Sequence, residues 1–224
     1  MFGRFGRKFP FFHRLPIRLR AAVSLAANII DEIYLIPQLR LEKGWCFVDI
    51  GAHVGAYSIL APRLVGRSGF VIAVEPDPDN FRGLLFNAGL LARAVIAVRA
   101  AIWNKDELHT LFRSETGARS SLLPHTKTMD TVVVPCLTLD SLYQMLLRKS
   151  LIDRIDAVKI DVEGSEREVL EGSLKVMKMV KFLLLEVHDL RRTGQLVTML
   201  GRWGLRAESI NSRYIIARRL RVES

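Results

Sequence analysis

The stretch from Phe47 to Ser58 constrains the fold of this chain more than any other. A short apolar run containing Asp49 leads into a loop with glycines at Gly51 and Gly55, and an apolar segment then begins at Ile59. That order is typical of a strand, a tight loop and a helix, in which glycines let the backbone approach a ligand closely. The sequence therefore predicts the opening unit of a nucleotide-binding α/β fold.

The composition of this loop indicates which ligand it binds. Gly51 and Gly55 do not make the G-x-G-x-x-G spacing of dinucleotide sites, and no lysine follows Gly55 as in a phosphate-binding P-loop. The loop has no basic residue and Asp49 lies at its edge, which favours a cationic ligand over a pyrophosphate. S-adenosylmethionine carries a sulfonium and an ammonium group, so it suits this charge better than NAD or ATP.

A second apolar run supplies another acid at the expected distance. The segment from Phe70 to Val74 leads into Glu75, and the spacing from Gly51 suits a strand–helix–strand unit with an acid facing ribose hydroxyls. The alternative is that Glu75 only caps the next helix. The predicted cofactor-binding residues are Asp49, Gly51, His53, Gly55, Ser58, Glu75 and Pro76.

Strand-like and helical segments alternate along the rest of the chain. This alternation predicts one α/β domain whose mostly parallel sheet has helices on both faces, with Tyr214 to Ala217 as an antiparallel strand at the edge. Two strand-like runs flank the polar loop from Arg113 to Asp130. We interpret that region as a β-hairpin-type insertion whose loop either lies over a site or is disordered.

Polar side chains gather where the predicted strands end, and in such sheets ligands bind at that edge. These residues are Asp49, Glu75, Asp161, Glu163, Glu186 and His188. Four carboxylate-bearing strand ends with a histidine indicate an enzyme.

Asp161 and His188 are the predicted catalytic residues, because a carboxylate or an imidazole can accept a proton from a hydroxyl. A structural role stays open for His188. Asp161 could instead cap the following helix, but Ser165 and Glu168 have capping-box spacing and suit that task better. A divalent cation is a further possibility, since the oxygens of Asp161, Glu163 and Glu186 suit magnesium or calcium.

The basic residues of the 224-residue chain are unevenly spread, although its formal net charge is +10. No acid precedes Asp31, and phenylalanines alternate with basic residues in the same region. We expect a basic N-terminal tail and helix over residues 1–43 and the main domain over residues 44–224. We favour a helix packed on the domain and preceded by a basic tail, and contact of that tail with an anionic membrane surface is the alternative. Cys46 and Cys136 lack metal-ligand or C-x-x-C spacing, so we predict a reducing, cytoplasmic location, with a peripheral position at the membrane surface as the alternative.

Several motifs, taken together in order, resemble the FkbM family of S-adenosylmethionine-dependent methyltransferases. They are Val48–Ser58, Ala73–Asp77, Arg119–Leu122, Leu137–Asp140, Lys159–Glu166 and Leu185–His188. The resemblance spans about Gly44 to about Tyr214. It implies a Rossmann-like methyltransferase sheet and methyl transfer to oxygen, commonly a hydroxyl of a sugar, polyketide or other metabolite.

Three hypotheses for the function follow. The first is an O-methyltransferase acting on a hydroxyl of a glycan, a lipid-linked sugar or a small metabolite. The second is an RNA methyltransferase, motivated by the net charge and by Lys159 near Asp161, although the chain has no recognisable RNA-binding module. The third is a non-catalytic, membrane-associated protein that retains the fold.

Overall fold

A computed structural model of the chain describes residues 16, 22–23, 25–26, 39–91, 95–114, 120–124 and 128–220. Ten strands lie in this part of the chain. They are β1 (Cys46–Ile50), β2 (Phe70–Val74), β3 (Val95–Val98), β4 (Ala101–Ile102), β5 (Glu107–Ser114), β6 (Thr128–Leu137), β7 (Ala157–Ile160), β8 (Phe182–Glu186), β9 (Leu205–Ser209) and β10 (Tyr214–Arg219).

Seven of these strands form the central sheet, in the order β3-β2-β1-β7-β8-β10-β9. The first five are parallel to one another, so the predicted mostly parallel α/β sheet is confirmed. The predicted edge position of the last strand is wrong, because β10 lies between β8 and β9 and is antiparallel to both. The edge strand β9 has little apolar character and is largely exposed, so its sequence carries no strong hydrophobic pattern.

Helices cover both faces of this sheet. They are α1 (Ala56–Val65), α2 (Pro78–Leu91), α3 (Leu139–Arg148), α4 (Glu166–Glu171), α5 (Leu174–Met179) and α6 (Thr193–Arg202), with a 3-10 helix at Leu190–Arg192. Side chains of β1 alternate between the faces: Phe47 packs with α1, whereas Val48 packs with α3 to α6. Because both faces are buried, the parallel strands are apolar throughout.

The predicted hairpin insertion is confirmed. Strands β5 and β6 pair in antiparallel fashion over eight residues of β5, and β4 adds to β6, which gives a separate three-stranded sheet. Trp103, Leu111 and Val134 form part of its own small core. The tip of the hairpin, which includes Arg119, lies outside the described residues.

Two polar side chains of the Leu137–Asp140 motif accept hydrogen bonds from N–H groups at the N-termini of helices. The Thr138 hydroxyl accepts a hydrogen bond from the Ser141 N–H at 3.0 Å and caps α3. The Asp140 carboxylate accepts hydrogen bonds from the Lys175 and Val176 N–H groups at the start of α5. This motif therefore fixes the positions of two helices and does not reach the strand ends.

The predicted capping box at Ser165 is wrong. The Ser165 hydroxyl donates to the Val162 carbonyl at 3.0 Å and makes no cap hydrogen bond to α4. The Glu166 carboxylate instead accepts a hydrogen bond from the Gly164 N–H at 2.9 Å, because it folds back over the turn after β7. The competing helix-cap role of Asp161 is not seen either.

Within the predicted N-terminal region, the structure describes Pro16, 22–23, 25–26 and 39–43. Residues 22–23 and 25–26 are helical, and Leu25 packs against Val54, Ala56 and Ile59. A helix packed on the domain is therefore supported, while the aromatic-basic tail lies outside the described residues. No helix among the described residues is long and apolar enough to cross a membrane. The division at residue 44 stays a prediction.

Candidate active site

The glycine loop is fixed to the carboxyl end of β2 by backbone hydrogen bonds. The N–H groups of Gly51 and Ala52 both donate to the Val74 carbonyl at 3.0 Å. Gly51, His53 and Gly55 have positive φ angles of 76°, 52° and 95°. This conformation is easy for glycine and unusual for histidine, so His53 holds a strained backbone beside the predicted site.

Gly51 brings the loop into direct backbone contact with the residue that follows β7. A Cβ atom at Gly51 would lie 1.8 Å from the Asp161 carbonyl oxygen. The Asp161 N–H donates in turn to the Ile50 carbonyl at 3.0 Å. No side chain larger than hydrogen fits at Gly51, and this position joins the predicted cofactor loop to the predicted catalytic residue.

Asp49 is buried next to the loop, and one of its carboxylate oxygens accepts no hydrogen bond from the described residues. Its Oδ2 accepts a hydrogen bond from the Ser58 hydroxyl at 2.6 Å, whereas no described residue donates a hydrogen bond to Oδ1. The Lys159 ammonium lies 3.6 Å from that Oδ1. Burial raises the pKa of Asp49 above its usual value, although Lys159 and Ser58 oppose the rise. An acid with spare acceptor capacity beside a glycine loop fits a cationic cofactor.

Glu75 connects the loop to the start of α2. Its two oxygens accept hydrogen bonds from the N–H groups of His53 (2.8 Å) and Asp77 (2.9 Å). Burial raises its pKa to about 7, against the effect of these hydrogen bonds. The direct cap of α2 is Asp77, which accepts from the N–H groups of Asp79 and Asn80. A carboxylate can accept more hydrogen bonds than these, so Glu75 keeps the capacity to bind hydroxyls.

The carboxyl ends of β7 and β8 bring the predicted catalytic residues together. His188 Nε2 lies 3.4 Å from the Glu163 carboxylate and 3.7 Å from those of Asp161 and Glu186. Its Nδ1 lies 2.7 Å from Glu166, a buried acid that was not among the predicted site residues. Burial alone would lower the pKa of His188, but the surrounding carboxylates raise it to about 11. His188 is therefore an imidazolium at neutral pH.

Lys159 is the second positive group at this rim, and it is buried within β7. Its ammonium lies 3.2 Å from Asp161 and 4.7 Å from the centre of the Tyr57 ring. Burial acts to raise the pKa of Asp161, but Lys159 and His188 outweigh it and hold this pKa below its usual value. Asp161 is thus ionised, and Lys159 lies between it and Asp49.

This geometry agrees with what the chain shares with known proteins. A family model described as the methyltransferase FkbM domain matches residues 49–206. The chain belongs to the FkbM methyltransferase family. It is 25% identical over 179 residues to the hexuronic acid methyltransferase AglP of Haloferax volcanii. The aligned region covers 75% of this chain and 71% of that protein.

Solved structures share the fold of this FkbM domain. The precorrin-6y C5,15-methyltransferase of Geobacter metallireducens superposes with a TM-score of 0.52 at 18% identity, over 90% of this chain and 88% of that one. The fibrillarin pre-rRNA processing protein of Methanococcus jannaschii gives 0.50 at 12% identity, over 80% and 68%. The protein is therefore an S-adenosylmethionine-dependent methyltransferase with a Rossmann-like sheet.

The hairpin insertion of the FkbM domain is tied to the rim at two points. The Arg113 guanidinium donates to Asp77 at 2.8 Å, and the Ser120 hydroxyl donates to the same carboxylate at 3.2 Å. The Ser121 hydroxyl donates to the Glu163 carbonyl at 2.8 Å. The insertion thus spans the ends of β2 and β7, as the position of a functional segment over a site requires.

The rim of the FkbM domain also brings together three groups that could hold a metal ion. One ligand atom each from Asp161, Glu186 and His188 lies within 4.8 Å of the others, so His188 takes the place predicted for Glu163. Each of these groups already has a charged partner: Lys159 lies 3.2 Å from Asp161, Arg213 lies 2.5 Å from Glu186, and Glu166 lies 2.7 Å from His188. An ion bound by these three groups would therefore have to displace or share those partners.

Proposed function

We propose that the protein transfers a methyl group from S-adenosylmethionine to a hydroxyl oxygen of a glycan, a lipid-linked sugar or a small metabolite. The observation that supports this proposal best is the backbone contact between Gly51 and Asp161, since it brings together the loop that we assign to the cofactor and the residue that we assign to the acceptor. The relative named a hexuronic acid methyltransferase supports a sugar as the acceptor.

In this proposal Asp49, Gly51, His53, Gly55, Ser58, Glu75 and Pro76 hold the cofactor. Asp49 Oδ1 and the Glu75 carboxylate are the acceptors for its ammonium and hydroxyl donors, and Ser58 acts through Asp49. When bound, S-adenosylmethionine supplies a methyl group that its sulfonium already activates. The glycine loop contributes close backbone approach, and the rim contributes alignment and exclusion of water.

Asp161 is the residue we assign to the acceptor hydroxyl. As the oxygen–carbon bond forms and the carbon–sulfur bond breaks, the hydroxyl proton passes to the Asp161 carboxylate. His188 is already protonated at neutral pH, so it is better suited to holding Asp161 ionised and in place than to accepting that proton. This favours Asp161 over His188 as the base.

Labelled S-adenosylmethionine tests this proposal directly. The purified protein is incubated with separate neutral glycans, uronic acid glycans, lipid-linked sugars and RNA, with Asp161→Asn as the matched control. We expect label in a sugar fraction that survives mild alkali, since a methyl ether is stable where a methyl ester is hydrolysed. Label in RNA alone would contradict a glycan, lipid-linked sugar or small metabolite as the acceptor, and label only in an alkali-labile product would contradict methyl transfer to a hydroxyl.

We also propose that the protein works in the cytoplasm and contacts anionic membrane surfaces through its basic N-terminal segment. The support is the sequence alone, namely the interleaved phenylalanines and arginines from Phe2 to Arg14. A lipid-linked sugar acceptor would be found at such a surface.

A further inference from the structure

We infer that Arg213 binds an anionic group, in the first place a carboxylate, on the acceptor sugar. This inference rests on the proposed function, because it presumes that the rim at β7 and β8 receives the acceptor. Arg213 belongs to the turn between β9 and β10, outside every motif that resembles the family.

The position of Arg213 joins it to the predicted catalytic rim. The Val187 N–H donates to the Arg213 carbonyl at 2.6 Å, and the next residue, Tyr214, pairs with Glu186 across β10 and β8. The Arg213 guanidinium donates through Nη2 to Glu186 Oε1 at 2.5 Å. The same Glu186 oxygen lies 3.7 Å from His188 Nε2, so only one side chain separates Arg213 from His188.

Arg213 differs from the other cationic side chains near this rim in the number of hydrogen-bond donors that remain available to a ligand. The Lys159 side chain is 5% exposed and lies between two carboxylates, and Arg113 is held by Asp77 and Asp79. The Arg191 guanidinium is paired at both ends with Asp189. The Arg213 side chain is 50% exposed, and no ion pair or hydrogen bond among the described residues uses its Nε or Nη1.

The backbone that carries Arg213 is held in place by its own turn. The Asn211 side-chain oxygen accepts hydrogen bonds from the N–H groups of Arg213 (2.8 Å) and Tyr214 (3.1 Å). Glu186 fixes one end of the guanidinium, so little freedom is lost when a ligand binds the rest. A planar guanidinium presents paired donors that match the geometry of a carboxylate, which a lysine cannot do.

The charge around Arg213 leaves room for an anion. Among the described residues, Glu186 contacts the guanidinium at Nη2 alone, so the Nε and Nη1 donors are left for a second acceptor. The side chain is half exposed, so such an acceptor can approach from solvent. An acidic sugar would thus gain a charge-assisted contact that a neutral sugar lacks.

Binding measurements on the full chain test this inference without requiring turnover. With saturating S-adenosylhomocysteine, methyl glucuronoside, methyl glucoside and glucose 6-phosphate are titrated into the wild type, Arg213→Gln, Arg213→Lys and Arg191→Gln, and melting temperatures confirm folding. We expect the wild type to prefer the glucuronoside over the glucoside by about 10- to 100-fold. Arg213→Gln should abolish this preference, Arg213→Lys should keep part of it, and Arg191→Gln, with the same charge change nearby, should retain it.

Each other outcome has a defined meaning. Equal affinity of the wild type for the acidic and neutral sugars, or an equal effect of Arg191→Gln, would overturn the assignment of Arg213. A preference for glucose 6-phosphate would keep Arg213 as an anion-binding residue and overturn the carboxylate. If the acidic sugar binds through Arg213 but no sugar is methylated, the proposed function fails and the binding assignment stands. In active preparations, Arg213→Gln should raise KM for the acidic sugar by a larger factor than it lowers kcat, because its ion pair with Glu186 also borders the rim.

Discussion

Replacement of Gly51 by alanine should damage both stability and activity, because it pushes the cofactor loop and Asp161 apart. The new Cβ would lie 1.8 Å from the Asp161 carbonyl oxygen, whereas real Cβ atoms essentially never approach closer than 3.0 Å. The backbone of β1 or of the segment after β7 must therefore move by more than an ångström. The φ of +76° adds a second cost, since alanine disfavours that conformation.

The size of the effect follows from these two costs. The left-handed conformation costs about 1–2 kcal/mol and overpacking about 1–3 kcal/mol, so the free energy of unfolding should fall by about 2–5 kcal/mol. A displacement of about 1 Å at a catalytic carboxylate typically costs on the order of 100-fold in rate. Urea unfolding and methyl transfer at a temperature well below the melting point measure the two effects separately.

Two other glycines provide matched controls for Gly51. Gly201 lies in α6, where an added Cβ would have nothing within 4 Å, so Gly201→Ala should stabilise the protein by roughly 0.5–1 kcal/mol and leave activity unchanged. At Gly172 a Cβ would lie 2.1 Å from the Trp103 carbonyl oxygen, away from the strand ends. Gly172→Ala should therefore destabilise the fold while the folded fraction stays active. If Gly51→Ala keeps wild-type activity and stability, the close approach of the loop to Asp161 has no functional role.

Four further predictions concern the site and the tail. Asp161→Asn should lower turnover roughly 100-fold or more, measured well below its own melting temperature because buried Lys159 loses one counter-charge; full activity would end the assignment of Asp161 as the base. Because Glu75 has a raised pKa of about 7, the free energy of unfolding should decrease by up to about 3 kcal/mol as pH rises from 4.5 through 7. Cofactor affinity should rise over the same range, and calorimetry should find neither trend in Glu75→Gln. Deletion of Met1 to Arg14 should reduce binding to anionic vesicles and leave cofactor affinity intact, as a sedimentation assay can check. Methyl transfer should persist after chelation and dialysis, because the three candidate metal ligands already have charged protein partners; recovery only on adding magnesium would contradict this reasoning.

Much of the site could be predicted because each of its acids follows or ends an apolar strand. Asp49, Glu75, Asp161 and Glu186 lie at the carboxyl ends of four strands, and parallel pairing brings those ends to one edge. The hydrophobic pattern therefore predicts where the strands end, and with it where the rim lies. The hairpin was predictable for a similar reason, since polar residues separate its two strand-like runs.

The partners of these acids were harder to find. Lys159 lies in the middle of a strand that is buried on both faces, and this is the signal that could have marked it as a paired, buried charge. Arg213 depends on a turn next to β9, a polar edge strand that the hydrophobic pattern misses. Ser165 shows the reverse case: its spacing to Glu168 suits a cap, but its hydroxyl donates to the Val162 carbonyl, and the neighbouring Glu166 contacts His188.

The placement of Lys159 makes the two halves of the site thermodynamically dependent on each other. One ammonium is shared between Asp49, 3.6 Å away on the cofactor side, and Asp161, 3.2 Å away on the acceptor side. A cation that binds at Asp49 competes with Lys159 for that carboxylate and strengthens its attachment to Asp161. By reciprocity, a ligand that engages Asp161 changes the affinity for the cation by the same factor. If Asp49 binds the cofactor and Asp161 the acceptor, as we propose, the single buried side chain of Lys159 would thus couple the two ligands without any movement of the sheet.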